Sequence, residues 1–414
     1  MTSPAVAAVR AEQRRRAAWP YRELDVARLR DAGWRPVPVR DVIVKVHQRC
    51  NLACDYCYVY EHEDRTWRDR PAVMPAEIWQ ATVDSLSRHV RRHEMTSVRV
   101  ILHGGEPLLV GAARLGQLAG DLRDALGARC AVEVGVQTNG VLLTERVLAQ
   151  LREHRVTVGV SVDGTRANHD QHRVTHAGRG TFDRVAAALD RLRQPENKDC
   201  YGGLLCTVTA GTDPVETYRT LRGFDPPMIN FLLPHANWEH PPPRPGDSPT
   251  PYGDWLVTAF ECWYQDPDPP RVQLFEDVIV LLLGGQGTSE LIGLSPAALA
   301  VVETDGAIEQ VDALKSAYEG AAATGLDIRH DELDAVLDDP GVVARQIGRA
   351  ALSDTCLSCP LHRVCGGGHY VHRYRAGAGF RNPSVFCADL QRLITHIRDR
   401  IAADISALTG GVRA

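Results

Sequence analysis

Six short apolar, β-branched runs alternating with helix-compatible segments constrain this chain more than any other feature of its sequence. The runs are DVIVKVH (41–47), VRVILH (98–103), AVEVGVQ (131–137), VTVGVSV (156–162), YGGLLCTVTA (201–210) and MINFLLPH (228–235). Runs of this length and composition read as buried strands, and their alternation with helices implies βαβ units and a parallel sheet. Helices are expected after MPAEIW, over 112–126, at LLTERVLAQL (142–151) and at TFDRVAAALDRL (181–192).

The pattern changes after the sixth run. Pro241, Pro242, Pro243, Pro245 and Pro249 predict a stiff, polyproline-prone connector. A helical segment is expected over roughly 253–285, ending at Gly284-Gly285. The expected organisation is therefore an Arg-rich, motif-free arm over 1–38, a barrel over 39–240 and the connector with its helix over 241–290. A second domain over 291–395 and a closing helix and tail over 396–414 complete it. The arm reads as solvated or as a docking helix.

Composition excludes whole classes. Hydrophobic residues at 44% and charged residues at 24% are those of a globular protein. Lys+Arg 47 against Asp+Glu 52 gives a net charge of −5, without the basic excess of a nucleic-acid binder. No apolar stretch is long enough for a membrane span, and the first residues lack a secretory signal, so a cytoplasmic protein is expected.

Eleven cysteines, an odd and clustered set, fit metal or cofactor binding better than a disulfide framework. Cys130, Cys200, Cys206 and Cys262 are isolated and read as small core residues. Cys50, Cys54 and Cys57 form C-x3-C-x2-C after the first strand. Three soft thiolates suit zinc, copper or iron–sulfur, and three rather than four leave a metal position open. A zinc knuckle completed by His47 or His62 is the structural alternative.

The loops after the next strands favour chemistry. Strand two ends in Gly104-Gly105-Glu106-Pro107, strand three in Gln137-Thr138-Asn139-Gly140 and strand four in Ser161-Val162-Asp163-Gly164. Paired glycines admit close approach of a ligand, and an adjacent carboxylate can hold an ammonium group. Polar motifs at successive carboxyl ends mark the face where a parallel barrel assembles its active site.

This pairing of C-x3-C-x2-C with GGEP resembles the radical S-adenosylmethionine (SAM) enzymes over about residues 41–235. The resemblance implies an α/β, partial (β/α)6 TIM-like barrel with a [4Fe–4S] cluster on Cys50, Cys54 and Cys57. The SAM amine would meet Gly104, Gly105, Glu106 and Pro107, and Tyr56 would face adenine. Gln137 and Asn139 would join the cofactor contacts, Ser161 and Asp163 would lie at the ribose, and Arg173 near the SAM carboxylate. Cluster reduction, by a donor such as flavodoxin or ferredoxin, would generate a 5′-deoxyadenosyl radical that abstracts substrate hydrogen.

A second set, Cys356, Cys359, Cys365 and Cys387, closes a four-thiolate site. Alone it could be a zinc ribbon. Beside this barrel it resembles a SPASM-type auxiliary iron–sulfur domain, with Val311 and His369 where that family carries cysteines. The departures imply one auxiliary [4Fe–4S] cluster, hence two clusters and SAM in all.

VVETDGAIEQVDALK (301–315) and CGGGHYVHRYRAGAGFRNPSVFCADL (365–390) resemble FxsB-type cyclophane-forming peptide maturases. Such enzymes join an aromatic ring to a nearby β-carbon in a ribosomally made precursor peptide. The resemblance makes Asp312 the candidate base for rearomatisation, with Glu303 and Asp305 as alternatives. A sulfatase-type oxidase or thioether-forming maturase is the alternative within this chemistry, and a non-catalytic iron–sulfur or zinc peptide binder the alternative outside it.

Overall fold

Strands β1 (Asp41–His47), β2 (Ser97–Gly104), β3 (Ala131–Thr138), β4 (Thr157–Ser161), β5 (Tyr201–Thr207) and β6 (Met228–Leu232) lie parallel and in chain order. They form the barrel of a computed structural model that describes residues 18–410. All six expected strands are present, each within a few residues of the apolar run that foretold it. Val42, Val44, Val100, Leu102, Val134, Val136, Val158 and Val160, which share one face of the sheet, are at most 2% exposed, so that face is fully covered. Full burial of such a side chain contributes about 1.5–3 kcal/mol, which is why these runs cannot sit at a surface.

Helices cover the outside. Ala76–Arg92 buries Ile78, Trp79, Val83, Leu86 and Val90, spaced at one-turn intervals. The indole of Trp79 donates to Asp121 at 2.8 Å and ties this helix to Ala112–Leu126. Pro214–Arg222 starts on a proline with Asp213 as its cap, accepting from Val215 N at 2.8 Å.

The sheet does not stop at the connector. A two-residue strand, β7 (Arg271–Val272), extends it beside β6. On the other edge β8 (Leu299–Val302) pairs parallel with β1, and β9 (Ala307–Glu309) and β10 (Ala323–Asp327) follow antiparallel. These three strands, not foreseen as strands, bring residues 299–327 against the first barrel strand.

The helix expected over roughly 253–285 is two helices, Pro251–Tyr264 and Gln273–Leu282. Asp266-Pro267-Asp268-Pro269-Pro270 separates them, because prolines lack the N–H and clash with the preceding turn. The connector is pinned: Arg244 bonds Asp389 at 2.8 Å, and the other Asp389 oxygen accepts from Tyr252 N and Gly253 N at 3.0 Å each. The closing helix runs Cys387–Gly410, starting earlier than expected. Of the arm, residues 1–17 lie outside the described residues, whereas Trp19 is 4% exposed and packs in one cluster with Tyr370 and Phe380. Among the described residues, no helix is long and apolar enough to cross a membrane.

Candidate active site

At the carboxyl ends of the strands lies a cavity of about 670 Å³ whose lining includes Cys50, Cys54, Cys57, Arg173 and Asp312. The cysteine loop leaves β1 and is stitched to a later segment by Ala53 N, which donates to Val174 O at 2.8 Å. All three thiols are free. Burial pushes Cys50 up to about 12 and Cys54 up to about 11, and raises Cys57 as well. Left alone they stay protonated; a metal centre would take them as thiolates. N–H donors already face the sulfur of Cys50, from Leu52 N at 3.4 Å and Asn139 Nδ2 at 3.7 Å, as suits an iron–sulfur ligand.

Gly104 and Gly105 line the cavity, and the chain itself also approaches them closely. A Cβ on Gly104 would sit 2.1 Å from His47 O, and one on Gly105 would sit 1.9 Å from the Tyr60 hydroxyl. Gly105 N donates to His47 O at 2.8 Å and Glu106 N to Arg49 O at 3.0 Å, so GGEP braces the cysteine loop. The carboxylate of Glu106 is fully buried. It accepts from Thr138 Oγ1 at 2.7 Å, Asn139 N at 2.8 Å and Leu108 N at 2.9 Å. These three bonds fix the carboxylate against the loop after β3, and Pro107 is buried at the start of the next turn.

Tyr56, Asp163 and Arg173 form one cluster. The Tyr56 hydroxyl donates to Asp163 and accepts from the Arg173 guanidinium at 2.7 Å. Asp163 also accepts from Thr207 N at 3.1 Å and stands behind Tyr56 rather than in the cavity lining. Ser161 does line it, accepting from Gln137 Nε2 at 3.0 Å. Arg173 Nε is buried without a hydrogen-bond partner. An orphaned guanidinium donor in a cavity with three thiols fits an anionic cofactor group.

Opposite them stands a buried charge network. Asp312 is paired with Lys45, receives the Tyr58 hydroxyl at 3.4 Å and keeps Lys315 at 4.0 Å from Oδ1, which accepts no hydrogen bond. Burial opposes its ionisation, but Lys45 and Lys315 outweigh burial and hold the carboxyl below the usual range. Glu303 and Asp305, the alternative bases, do not line the cavity. Glu303 is enclosed by Arg70 at 2.7 Å, Lys315 and Gln48, and Asp305 is turned toward Arg70 at 3.4 Å. Of the three carboxylates only Asp312 reaches the cavity.

Lys45, Tyr58, Arg70 and His103 escaped the sequence reading. One signal existed: Lys45 is a lone charge inside DVIVKVH, and it is 1% exposed. Lysine can only donate, so His103 Nδ1, 3.1 Å from Nζ, accepts.

The second cysteine set lies on short turns, with Cys387 opening the final helix. Burial pushes Cys365 up to about 12, with added repulsion from Cys387 and Cys356. Gly366, Gly367 and Gly368 follow with φ of 59°, 80° and 68°. Arg373 clamps that left-handed run through Gly366 O and Gly368 O, both at 2.6 Å.

A parallel barrel thus carries three thiols at its mouth, and the segment after it carries four more. Residues 44–222, which carry the first cysteine set and most of the barrel, match the Radical SAM superfamily. The chain's cofactors are SAM and [4Fe–4S] clusters, for which the two cysteine sets are the available donors. The serine-type anaerobic sulfatase-maturating enzyme of Bacteroides thetaiotaomicron is 24% identical over 266 residues, 60% of this chain and 63% of that one. This chain thus spans just under two thirds of that relative's length. The cysteine-type enzyme of Clostridium perfringens is 24% identical over 66% of this chain and 74% of its own. In fold, native anSMEcpe with bound AdoMet aligns at a TM-score of 0.75 and 21% identity, covering 88% of this chain and 98% of that one. SuiB of Streptococcus suis, bound to precursor peptide SuiA, aligns at 0.55 and 15% over 86% and 77%.

Proposed function

We propose that this chain is a maturase of a ribosomally made peptide and forms a carbon–carbon crosslink between an aromatic ring and a nearby side-chain β-carbon, a three-residue cyclophane. The observation that carries the reading is the make-up of the cavity. Its only cysteines are Cys50, Cys54 and Cys57, and across from them stands Asp312, an ionised carboxylate with one oxygen that accepts no hydrogen bond. A wall without further thiols suits a crosslink that involves no sulfur. The relatives named as maturating enzymes and the fold shared with a peptide-bound enzyme support a peptide substrate.

In this reading Cys50, Cys54 and Cys57 hold the SAM-binding cluster, and Cys356, Cys359, Cys365 and Cys387 the auxiliary one. The bound cofactors supply one-electron hydrogen abstraction at the β-carbon. Arg173, whose Nε lacks a hydrogen-bond partner, would meet the SAM carboxylate, Tyr56 would form one wall, and Asn139, Gln137 and Ser161 would offer polar contacts. Gly104 and Gly105, which line the cavity, would meet the SAM amine with Glu106 and Pro107 behind them, and Asp163 fixes the Tyr56 hydroxyl. Asp312 Oδ1 would receive the ring proton when aromaticity is restored, and the cluster that Cys356, Cys359, Cys365 and Cys387 would hold is the acceptor for the electron lost with it.

Incubation with the cognate peptide tests this. Expected is a loss of two hydrogens per crosslink, no thiol consumption, and missing fragment ions between the joined residues. The second reading, a sulfatase-maturating-type oxidase, is favoured by the fold likeness at 0.75. An aldehyde captured by a hydrazide reagent would select it, and a crosslink that needs a peptide cysteine would select thioether formation.

A further inference from the structure

Three histidines outside both cysteine sets meet at the cavity wall. His235 follows β6, and His369 and His372 lie on the turn after the triple glycine. One ring nitrogen from each lies within 4.8 Å of the other two. Ring centroids are 5.1 Å apart for His369 and His372, set at 90°, and 6.1 Å apart for His235 and His369. His369 and His372 are 7% and 3% exposed, and His235 and His369 both line the cavity.

These rings lack what buried imidazoles normally have. Nδ1 of His235 and both nitrogens of His372 have no well-aligned hydrogen-bond partner, although the Pro234 carbonyl stands close enough to favour a proton on His372. A buried polar atom without a partner calls for an explanation. A carbonyl on the far side of a ring is the usual device that turns the other nitrogen toward a metal. Burial pushes His235 to about 3 and His369 to about 4, so both are neutral, the form that ligates. Glu290, also at the cavity, adds a negative charge near His369, although Arg345 pairs with it and Arg373 is close by.

We propose that His235, His369 and His372 form a binding site for a divalent transition-metal ion, with an open coordination position facing the cavity. Imidazole donors suit zinc, iron, nickel and copper, and three protein ligands leave the remaining position for a substrate or solvent oxygen. The site does not depend on which product the enzyme makes.

Zinc is the probe. Holoprotein reconstituted with iron in both clusters is incubated with Zn²⁺, desalted and measured for metal content and zinc X-ray absorption. Expected is about one retained zinc with a nitrogen/oxygen shell at about 2.0–2.1 Å and no sulfur at about 2.3 Å. His235→Asn and His369→Gln, tested separately because either could disturb packing, should each lower zinc retention at least tenfold with iron content unchanged. Absence of retained zinc, sulfur in its shell, or undiminished zinc in both variants would overturn the site.

Discussion

Lys45 and Asp312 form an ion pair between the first barrel strand and the turn after β9, with side chains 1% and 5% exposed. The pairing of β1 with β8 brings these distant segments together. The same lysine reaches His103, so one ammonium touches both the carboxylate and an imidazole of the cavity wall.

Removing one partner of a buried pair leaves the other charge uncompensated, at a cost of about 3–5 kcal/mol. Lys45→Met should therefore lower stability by about that amount. Lys45→Met/Asp312→Leu should recover most of it, and denaturant midpoints of the reconstituted protein provide the measurement. A double variant as unstable as the single would show that the pair is not the coupled unit.

Because Asp312 is held below the usual carboxylate range, it is charged at neutral pH. Its stabilising contribution is present above the unfolded value of about 3.9 and is lost as pH falls through the lower folded value. Between about pH 5 and 8, crosslinking should thus show no acid limb that disappears in Asp312→Asn. A limb near neutrality removed by that change would mean the carboxyl is raised in the complex.

Asp312→Asn keeps the shape and removes the base. Crosslinked product should fall roughly a hundred- to ten-thousand-fold while 5′-deoxyadenosine persists. Deuterium at the peptide β-carbon should still reach that product. Recovery at high peptide concentration would reassign Asp312 to binding.

Anaerobic reconstitution should load about eight irons per chain, four per cluster. Replacing Cys50, Cys54 and Cys57 by Ala should remove about half of them and abolish SAM cleavage. About four irons with stoichiometric zinc would indicate a zinc ribbon in the second set, and about twelve would indicate a further cluster.

Tyr56→Phe deletes the hydroxyl that joins Arg173 to Asp163. Losing hydrogen bonds to charged groups costs about 1.5–3 kcal/mol, so SAM affinity should fall roughly ten- to a hundredfold with iron content intact. Gly105→Ala should do the reverse and lower iron incorporation itself, because its Cβ would meet Tyr60 and the Arg49 backbone. Full iron in Gly105→Ala would show that the cysteine loop tolerates displacement.

The six barrel strands and both cysteine sets were legible in the sequence because their signals are local: apolar runs of fixed length, and thiols at short spacing. The SAM-family resemblance rests on the same kind of contiguous motif. Strands β8 to β10 were not legible, since four-, three- and five-residue segments carry too little pattern and exist only by pairing with β1 and with one another. Nor could spacing tell which carboxylate faces the cavity. Glu303, Asp305 and Asp312 lie within ten residues of one another, and Arg70 and Lys45 from other segments decide their fates. His235, His369 and His372 meet for the same reason. Motif chemistry is written along the chain, whereas the choice of partner for a buried charge or ring depends on which distant segments the sheet brings into register.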